Sequence, residues 1–184
     1  MNLASQQGKT WNICNIISTI RLILIIPSGW LLWENHNFIA AGLAVFCYIS
    51  DLTDGYLARK YNLITELGKV LDPLADKLYV GIISAILVYQ GRLPWWFLAG
   101  ILLRDFLIFL GGLYAQKKTG IVLPSNYPGK VAVALIAAAM MAGTLDGYFV
   151  RDIFIYAATA AMILSFLMYG KRFFEILKNP AALV

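Results

Sequence analysis

Residues 51–77 read DLTDGYLARKYNLITELGKVLDPLADK and place four aspartates, one arginine and three lysines in the middle of a chain that is otherwise mostly hydrocarbon. The apolar run AVFCYI (44–49) leads into this stretch and LYVGIISAILVY (78–89) follows it. Charge between two apolar runs, broken by the polar YNLITELG (61–68), predicts the end of one helix, a short turn and the start of a second, antiparallel helix. Working outward, the interruptions ENHN, QGRLP, KKTGIVLPSNYPG and LDGYF divide the rest of the chain in the same way. Six helices are expected, over residues 11–33, 37–60, 69–90, 94–117, 128–146 and 149–171.

The chain has 184 residues, 60% hydrophobic and only 14% charged, a balance far from that of a soluble domain. An all-α, polytopic membrane protein with six transmembrane helices is therefore expected, since about 20 residues are needed per crossing. One membrane domain over residues 1–184 uses the whole length. The polar N-terminus lacks a cleavage signature, so the first apolar segment is read as retained. Cys14 and Cys47 both sit in apolar runs without a CxxC or Cys/His pattern and read as small buried side chains.

An even number of spans puts both termini on one side of the membrane. Lys9, Arg59, Lys60, Lys69, Lys117, Lys118, Lys130, Lys171, Arg172 and Lys178 fall on that side, against Arg92 and Arg151 on the other. The excess predicts cytoplasmic termini, and the net charge of +5 reads as orientation and attraction to anionic lipid headgroups. Nucleic acid is excluded as a partner, because basic and aromatic residues are not interleaved on a water-facing surface.

Within 51–77, Asp51 and Asp54 are three residues apart and Asp72 and Asp76 four apart, so each pair shares a helical face. Two antiparallel helices can aim four carboxylates into one cavity, where like charges need a cation among them. Oxygen-only ligands suit Mg²⁺ or Mn²⁺. The plain alternative, interfacial acids that snorkel or pair with Arg59 and Lys77, accounts for one or two of them but not for the spacing of all four. Gly55, one turn after Asp51, lets a ligand approach the helix backbone, and Gly68 precedes Asp72 by one turn; either is also a helix-packing glycine. With Arg59 to hold a phosphate, the group describes a site for a diphosphate.

Written out, Asp51-x-x-Asp54-Gly55-x-x-Ala58-Arg59, eight residues, Gly68-x-x-x-Asp72-x-x-x-Asp76 resembles the signature of the CDP-alcohol phosphotransferases, with all eight fixed positions filled. The resemblance implies a six-span, homodimeric membrane enzyme that uses two Mg²⁺ or Mn²⁺ ions to displace CMP from a CDP-linked donor such as CDP-diacylglycerol. It implies that Asp51, Asp54, Asp72 and Asp76 bind metal, that Asp54, Gly55, Ala58, Arg59 and Gly68 line the CDP pocket, and that Asp76 is also the general base.

NICNIISTIR (12–21) and DPLADK (72–77) resemble the branch of the family that transfers phosphatidyl to glycerol 3-phosphate in a bacterial inner membrane. Arg104 in LLRDFLIF, Lys130 in SNYPGK and Arg21 are the candidates for the phosphate of a small phosphorylated alcohol acceptor. Residue 14 is cysteine where that branch has proline, and GKVAVAL lacks the polar residues that follow Gly-Lys there. Inositol phosphate, serine and phosphatidylglycerol thus stand as alternative acceptors. A divalent-cation transporter would want a polar path continuing beyond the aspartates, and the outer halves of these helices are apolar.

His36, the single histidine, falls on an outer loop away from the aspartates. Trp30, Trp33, Trp95 and Trp96 fall at outer boundaries, where an aromatic belt belongs. The tail KRFFEILKNPAALV (171–184) reads as a short amphipathic surface helix, with Phe173 and Phe174 toward acyl chains.

Overall fold

The computed structural model describes residues 13–61, 66–119 and 126–178. Among them every regular element is helical: α1 (Ile13–Trp33), α2 (Asn37–Lys60), α3 (Glu66–Tyr89), α4 (Trp95–Thr119), α5 (Tyr127–Thr144) and α6 (Tyr148–Lys178). The all-α expectation holds, as does the count of six helices. Four of them, α1, α4, α5 and α6, are long and apolar enough to cross a membrane. The apolar part of α2 is confined to Asn37–Thr53, because its second half, like the first half of α3, belongs to the charged stretch.

The chain divides into two compact units, Met1–Tyr89 and Gln90–Val184. In the first, α1 packs against both α2 and α3. Its buried positions are Ser18, Arg21, Ile25, Ser28, Gly29 and Leu32, a face repeating every three or four residues. A Cβ at Gly29 would stand 3.2 Å from Ile86 Cδ1, so the missing side chain is what lets α3 come this close to α1. The outer face carries Ile16, Ile20, Ile23, Ile26 and Trp30, all exposed. Large hydrocarbon side chains point outward and small or polar ones inward, the pattern expected where lipid is the solvent and helices associate by close packing. Cys47 is buried on α2. The side chain of Cys14 lies outside the described residues.

In the second unit α6 packs against both α5 and α4. The face of α5 made by Gly129, Ala132, Ile136, Ala139, Met140 and Gly143 is buried, and so is the face of α6 made by Ile155, Ala158, Met162 and Ser165. Alanines with no exposed surface on both helices set a close approach. Leucines and phenylalanines of α4, from Leu102 to Leu113, face outward.

Two helix ends close with the same hydrogen-bond pattern. After α1, His36 N donates to Leu31 O at 2.8 Å and Asn35 N to Leu32 O at 3.1 Å, with Asn35 at φ 60°. After α5, Gly147 N donates to Ala142 O at 2.8 Å and Asp146 N to Gly143 O at 3.4 Å, with Asp146 at φ 58°. These are Schellman turns in which Asn and Asp, the residues that best tolerate left-handed backbone after glycine, take the position glycine usually fills. Arg92, which with Arg151 is expected on the outer side, pairs with Asp146 (Nε to Oδ1, 3.3 Å) and donates to Thr144 O. Arg151 donates to Arg92 O at 2.9 Å. Both guanidiniums thus sit where the carbonyl end of α5 attracts positive charge.

Two expectations are adjusted. Residues 171–178, set apart as the start of a surface helix, continue α6 without a break, giving a helix of 31 residues. Phe173, expected among acyl chains, packs with Tyr169 on Ala115 of α4 and lies 3.9 Å from where a Cβ on Gly111 would be. Two small residues open a groove on α4 that the ring fills, while Phe174 stays exposed. The tryptophans Trp30, Trp33, Trp95 and Trp96 are all exposed, and Trp33 stacks on Tyr89 with ring centroids 4.9 Å apart, joining the ends of α1 and α3.

Ala158→Leu forces three extra carbons into the α5–α6 contact and is expected to cost about 1–3 kcal/mol. It should lower the thermal midpoint of the purified protein in detergent, whereas Ile163→Leu, on the exposed side of the same helix, should leave it unchanged.

Candidate functional site

The candidate residues fall into one group in each unit. In the first unit they gather where the charged halves of α2 and α3 face α1. Arg21 of α1 has only 3% of its side chain exposed, and its Nη1 donates to Asp51 Oδ1 of α2 and, at 3.0 Å, to Asp76 Oδ1 of α3. The two carboxylates are 35% and 53% exposed. The guanidinium therefore lies behind them, on the packed side, and they occupy the rim. Ser50 and Thr53 of α2 turn their hydroxyls back to Phe46 O and Ile49 O, both at 2.8 Å, and so are satisfied within their own helix.

Two carboxylate oxygens that reach the same nitrogen are close neighbours, which brings Asp51 and Asp76 together as the spacing of 51–77 leads one to expect. The connection differs in one respect: the cation between them comes from α1. Arg21, expected toward an acceptor phosphate, has carboxylates for partners. Gly55 is half-buried, and a Cβ built on it would meet nothing within 4 Å. Among the described residues no helix contact calls for that glycine. Gly68 is buried at the start of α3. Asp54, Ala58, Arg59 and Asp72 stand on helical backbone, and their side chains lie outside the described residues.

A divalent cation fits the residues that are present. Asp51 and Asp76 already converge on one positive group, and they offer only carboxylate oxygens, the ligands that hard cations such as Mg²⁺ and Mn²⁺ take. Among the described residues no three His, Cys, Asp or Glu side chains come together; Asp51 and Asp76 are two of the four aspartates in the motif.

In the second unit the group forms around the N-terminus of α5. Asn126 caps that helix in extended backbone conformation (φ −94°, ψ 155°), its Oδ1 accepting from Gly129 N at 2.8 Å. Its Nδ2 donates to Ser165 O of α6 at 2.9 Å, and Ser165 Oγ donates back to Asn126 Oδ1 at 3.0 Å. Arg104 of α4 joins through Nη2, which donates to Ser165 Oγ at 3.1 Å, while its Nη1 pairs with Asp105 at 2.9 Å. A Cβ on Gly129 would stand 2.6 Å from Asn126 Oδ1 and 3.1 Å from Arg104 Nη2. Only glycine leaves room there for the cap and the guanidinium together. Lys130 follows directly and is exposed on the first turn of α5.

The structure thus brings Arg104 to the helix end that carries Lys130, as expected for a phosphate site. The positive end of the α5 dipole adds to the two cations, and such an end favours an anion. Asn126 and Gly129 were legible in SNYPGK, where a capping residue, a proline at the second helical position and a glycine follow in order. Ser165 gives no such signal, being one hydroxyl in an apolar helix. Asp105, the next residue on α4, is the carboxylate partner of Arg104. His36 is exposed in the turn between α1 and α2, at the opposite end of α2 from Asp51.

The family model for CDP-alcohol phosphatidyltransferase matches residues 11–167. A Mycobacterium tuberculosis protein named putative cardiolipin synthase is 35% identical over 128 residues, 68% of this chain and 61% of that protein. A Rickettsia typhi CDP-diacylglycerol–glycerol-3-phosphate 3-phosphatidyltransferase is 43% identical over 94 residues, 49% of this chain and 53% of the relative. The match thus spans little more than half to three fifths of these two relatives' length. An Aquifex aeolicus protein with the same name as the rickettsial one is 32% identical over 140 residues, covering 74% of this chain and 78% of that protein. With most of its length matched by the family model and all eight signature positions filled, the chain belongs to the CDP-alcohol phosphatidyltransferase family.

Proposed function

We propose that the chain is a phospholipid-synthesising transferase that moves the phosphatidyl group of CDP-diacylglycerol to glycerol 3-phosphate, giving phosphatidylglycerol phosphate and CMP. The observation that carries the reading is the convergence of Asp51 and Asp76, from α2 and α3, at one positive group within the eight-position motif. The names of the rickettsial and Aquifex relatives support glycerol 3-phosphate as the acceptor.

In this reading Asp76, exposed at the rim, accepts the proton of the acceptor hydroxyl as that oxygen attacks the phosphorus carrying the lipid. A new oxygen–phosphorus bond forms, the bond to CMP breaks, and CMP leaves with the electron pair. An alcohol is a poor nucleophile at neutral pH, so a positioned base contributes about 10²–10⁴-fold. The family uses divalent metal ions. Here Asp51, Asp54, Asp72 and Asp76 would hold two Mg²⁺ or Mn²⁺, which would supply positive charge against the diphosphate and the leaving CMP. Gly55, open to its surroundings, lets the CDP moiety approach the backbone of α2, with Ala58, Arg59 and Gly68 along the same pocket. Arg104 and Lys130 hold the acceptor phosphate at the N-terminus of α5, the guanidinium bidentately and the ammonium as a point charge. The apolar helices make it an integral membrane protein. The bias of basic residues supports cytoplasmic termini in a bacterial cell membrane, and the family resemblance supports a homodimer.

A second reading, with phosphatidylglycerol as acceptor, is favoured by the mycobacterial relative's name. The two readings separate in one assay: CMP release by purified protein with CDP-diacylglycerol and Mg²⁺, supplied in turn with glycerol 3-phosphate, phosphatidylglycerol, inositol phosphate and serine. Release with glycerol 3-phosphate alone is the expected result. Release with phosphatidylglycerol alone replaces the first reading by the second.

Asp76→Asn should lower turnover by at least about 10²-fold while circular dichroism keeps the helical signal; turnover near that of the unmodified protein would remove the base assignment. Arg104→Gln should raise the KM for glycerol 3-phosphate by about tenfold or more and leave that for CDP-diacylglycerol alone. Gly129→Ala, which pushes a methyl group against Arg104 Nη2, should move the same constant in the same direction.

A further inference from the structure

Arg21 is one of the few charged side chains fully buried in its unit, and the proposed reaction gives it no step. Its Nη1 is shared between Asp51 of α2 and Asp76 of α3, and α1 packs against both of those helices. We propose that Arg21 is a built-in counter-ion which a divalent cation must displace, so that this arginine sets how tightly the Asp51–Asp76 pair holds metal. The proposal rests on the reading above that these aspartates are metal ligands.

The argument is one of charge and lone pairs. Two carboxylates brought together near membrane depth repel one another and are costly to keep ionised. A guanidinium between them removes both penalties, and its burial at 3% exposure shows that it is part of the packed side of the unit. Arg21 takes a lone pair on one oxygen of each carboxylate that a metal ion would otherwise share, and a divalent ion beside the guanidinium is repelled by it. Cation binding at these oxygens therefore works against the Arg21 contacts, and each weakens the other by the same factor. The exposures fit this order of events. The carboxylates lie on the rim, where an ion arrives, and Arg21 lies behind them, where it holds the helices when no ion is bound.

A purely structural tie has the opposite consequence. If Arg21 only holds α2 and α3 in place, removing it lets the ligands separate and metal affinity falls. If it is a displaceable counter-ion, removing it lowers the stability of the metal-free protein and raises metal affinity.

The measurement is Mn²⁺ binding to the purified full-length chain in detergent, followed by the electron paramagnetic resonance signal of free Mn²⁺. The unmodified protein is compared with Arg21→Gln, Arg21→Lys and Asp51→Asn. Arg21→Gln should bind Mn²⁺ roughly tenfold tighter, melt at a lower temperature without metal, and gain more on adding Mn²⁺ than the unmodified protein does. Arg21→Lys keeps the charge but not the planar fork, so it should fall between the two; it carries the comparison if the glutamine variant does not fold. Mn²⁺ affinity equal to or below that of the unmodified protein in the folded Arg21 variants, with binding weakened by Asp51→Asn, overturns the counter-ion proposal alone. Absence of saturable binding by the unmodified protein, or binding indifferent to Asp51→Asn, overturns the ligand reading and the proposal with it.

Discussion

A guanidinium with almost no water around it, in a unit whose outer face is isoleucine and tryptophan, requires negative charge at hydrogen-bond distance. Much of the first unit follows from that requirement. Arg21 takes one carboxylate from α2 and one from α3, so α1 is the helix that the other two share. Removing one partner of a buried ion pair leaves an uncompensated charge, which is why such contacts hold helices in register even where their net contribution to stability is small. The small residues of α1, Ser18, Ser28 and Gly29, then let the neighbours close around that contact.

The second unit is organised by a hydrogen-bond network centred on one amide side chain. Asn126 caps α5 and at the same time bonds Ser165 of α6, and Arg104 of α4 reaches that serine. One side-chain amide thus ties the start of α5 to the helix it packs on, and through Ser165 to α4. The far end of α5 is closed by a backbone turn and two arginines. Opposite ends of one helix are finished by opposite means: side-chain acceptors where N–H groups are unpaired, and cations where carbonyls are.

How much of this is legible in the sequence depends on what kind of signal each feature leaves. Helix number and most boundaries follow from the alternation of apolar runs and polar breaks, and the pairing of Asp51 with Asp76 follows from helical spacing. The cap at Asn126 is spelled out by SNYPGK. Contacts that depend on a third helix leave no local mark, and those of Arg21 with Asp51 and Asp76 are of that kind. Ser165 is silent for the same reason. Charge at Lys171 and Arg172 looks like the end of α6, whereas Phe173 has a groove on α4 to continue into. Gly55 reads as a place of ligand approach or of helix packing, and among the described residues a Cβ built there meets nothing within 4 Å.

The unbroken length of α6 has a consequence for the membrane around the protein. At about 1.5 Å per residue its 31 residues span roughly 46 Å, well beyond a hydrocarbon core of about 30 Å. With α6 near the membrane normal its last turns reach headgroup depth, and Lys171 is widely exposed there beside Arg172. The helix is in effect a rigid post whose top is positively charged. Anionic headgroups gather around such a post by simple attraction. Within a Debye length of this end of the chain, anionic lipid is favoured over neutral lipid.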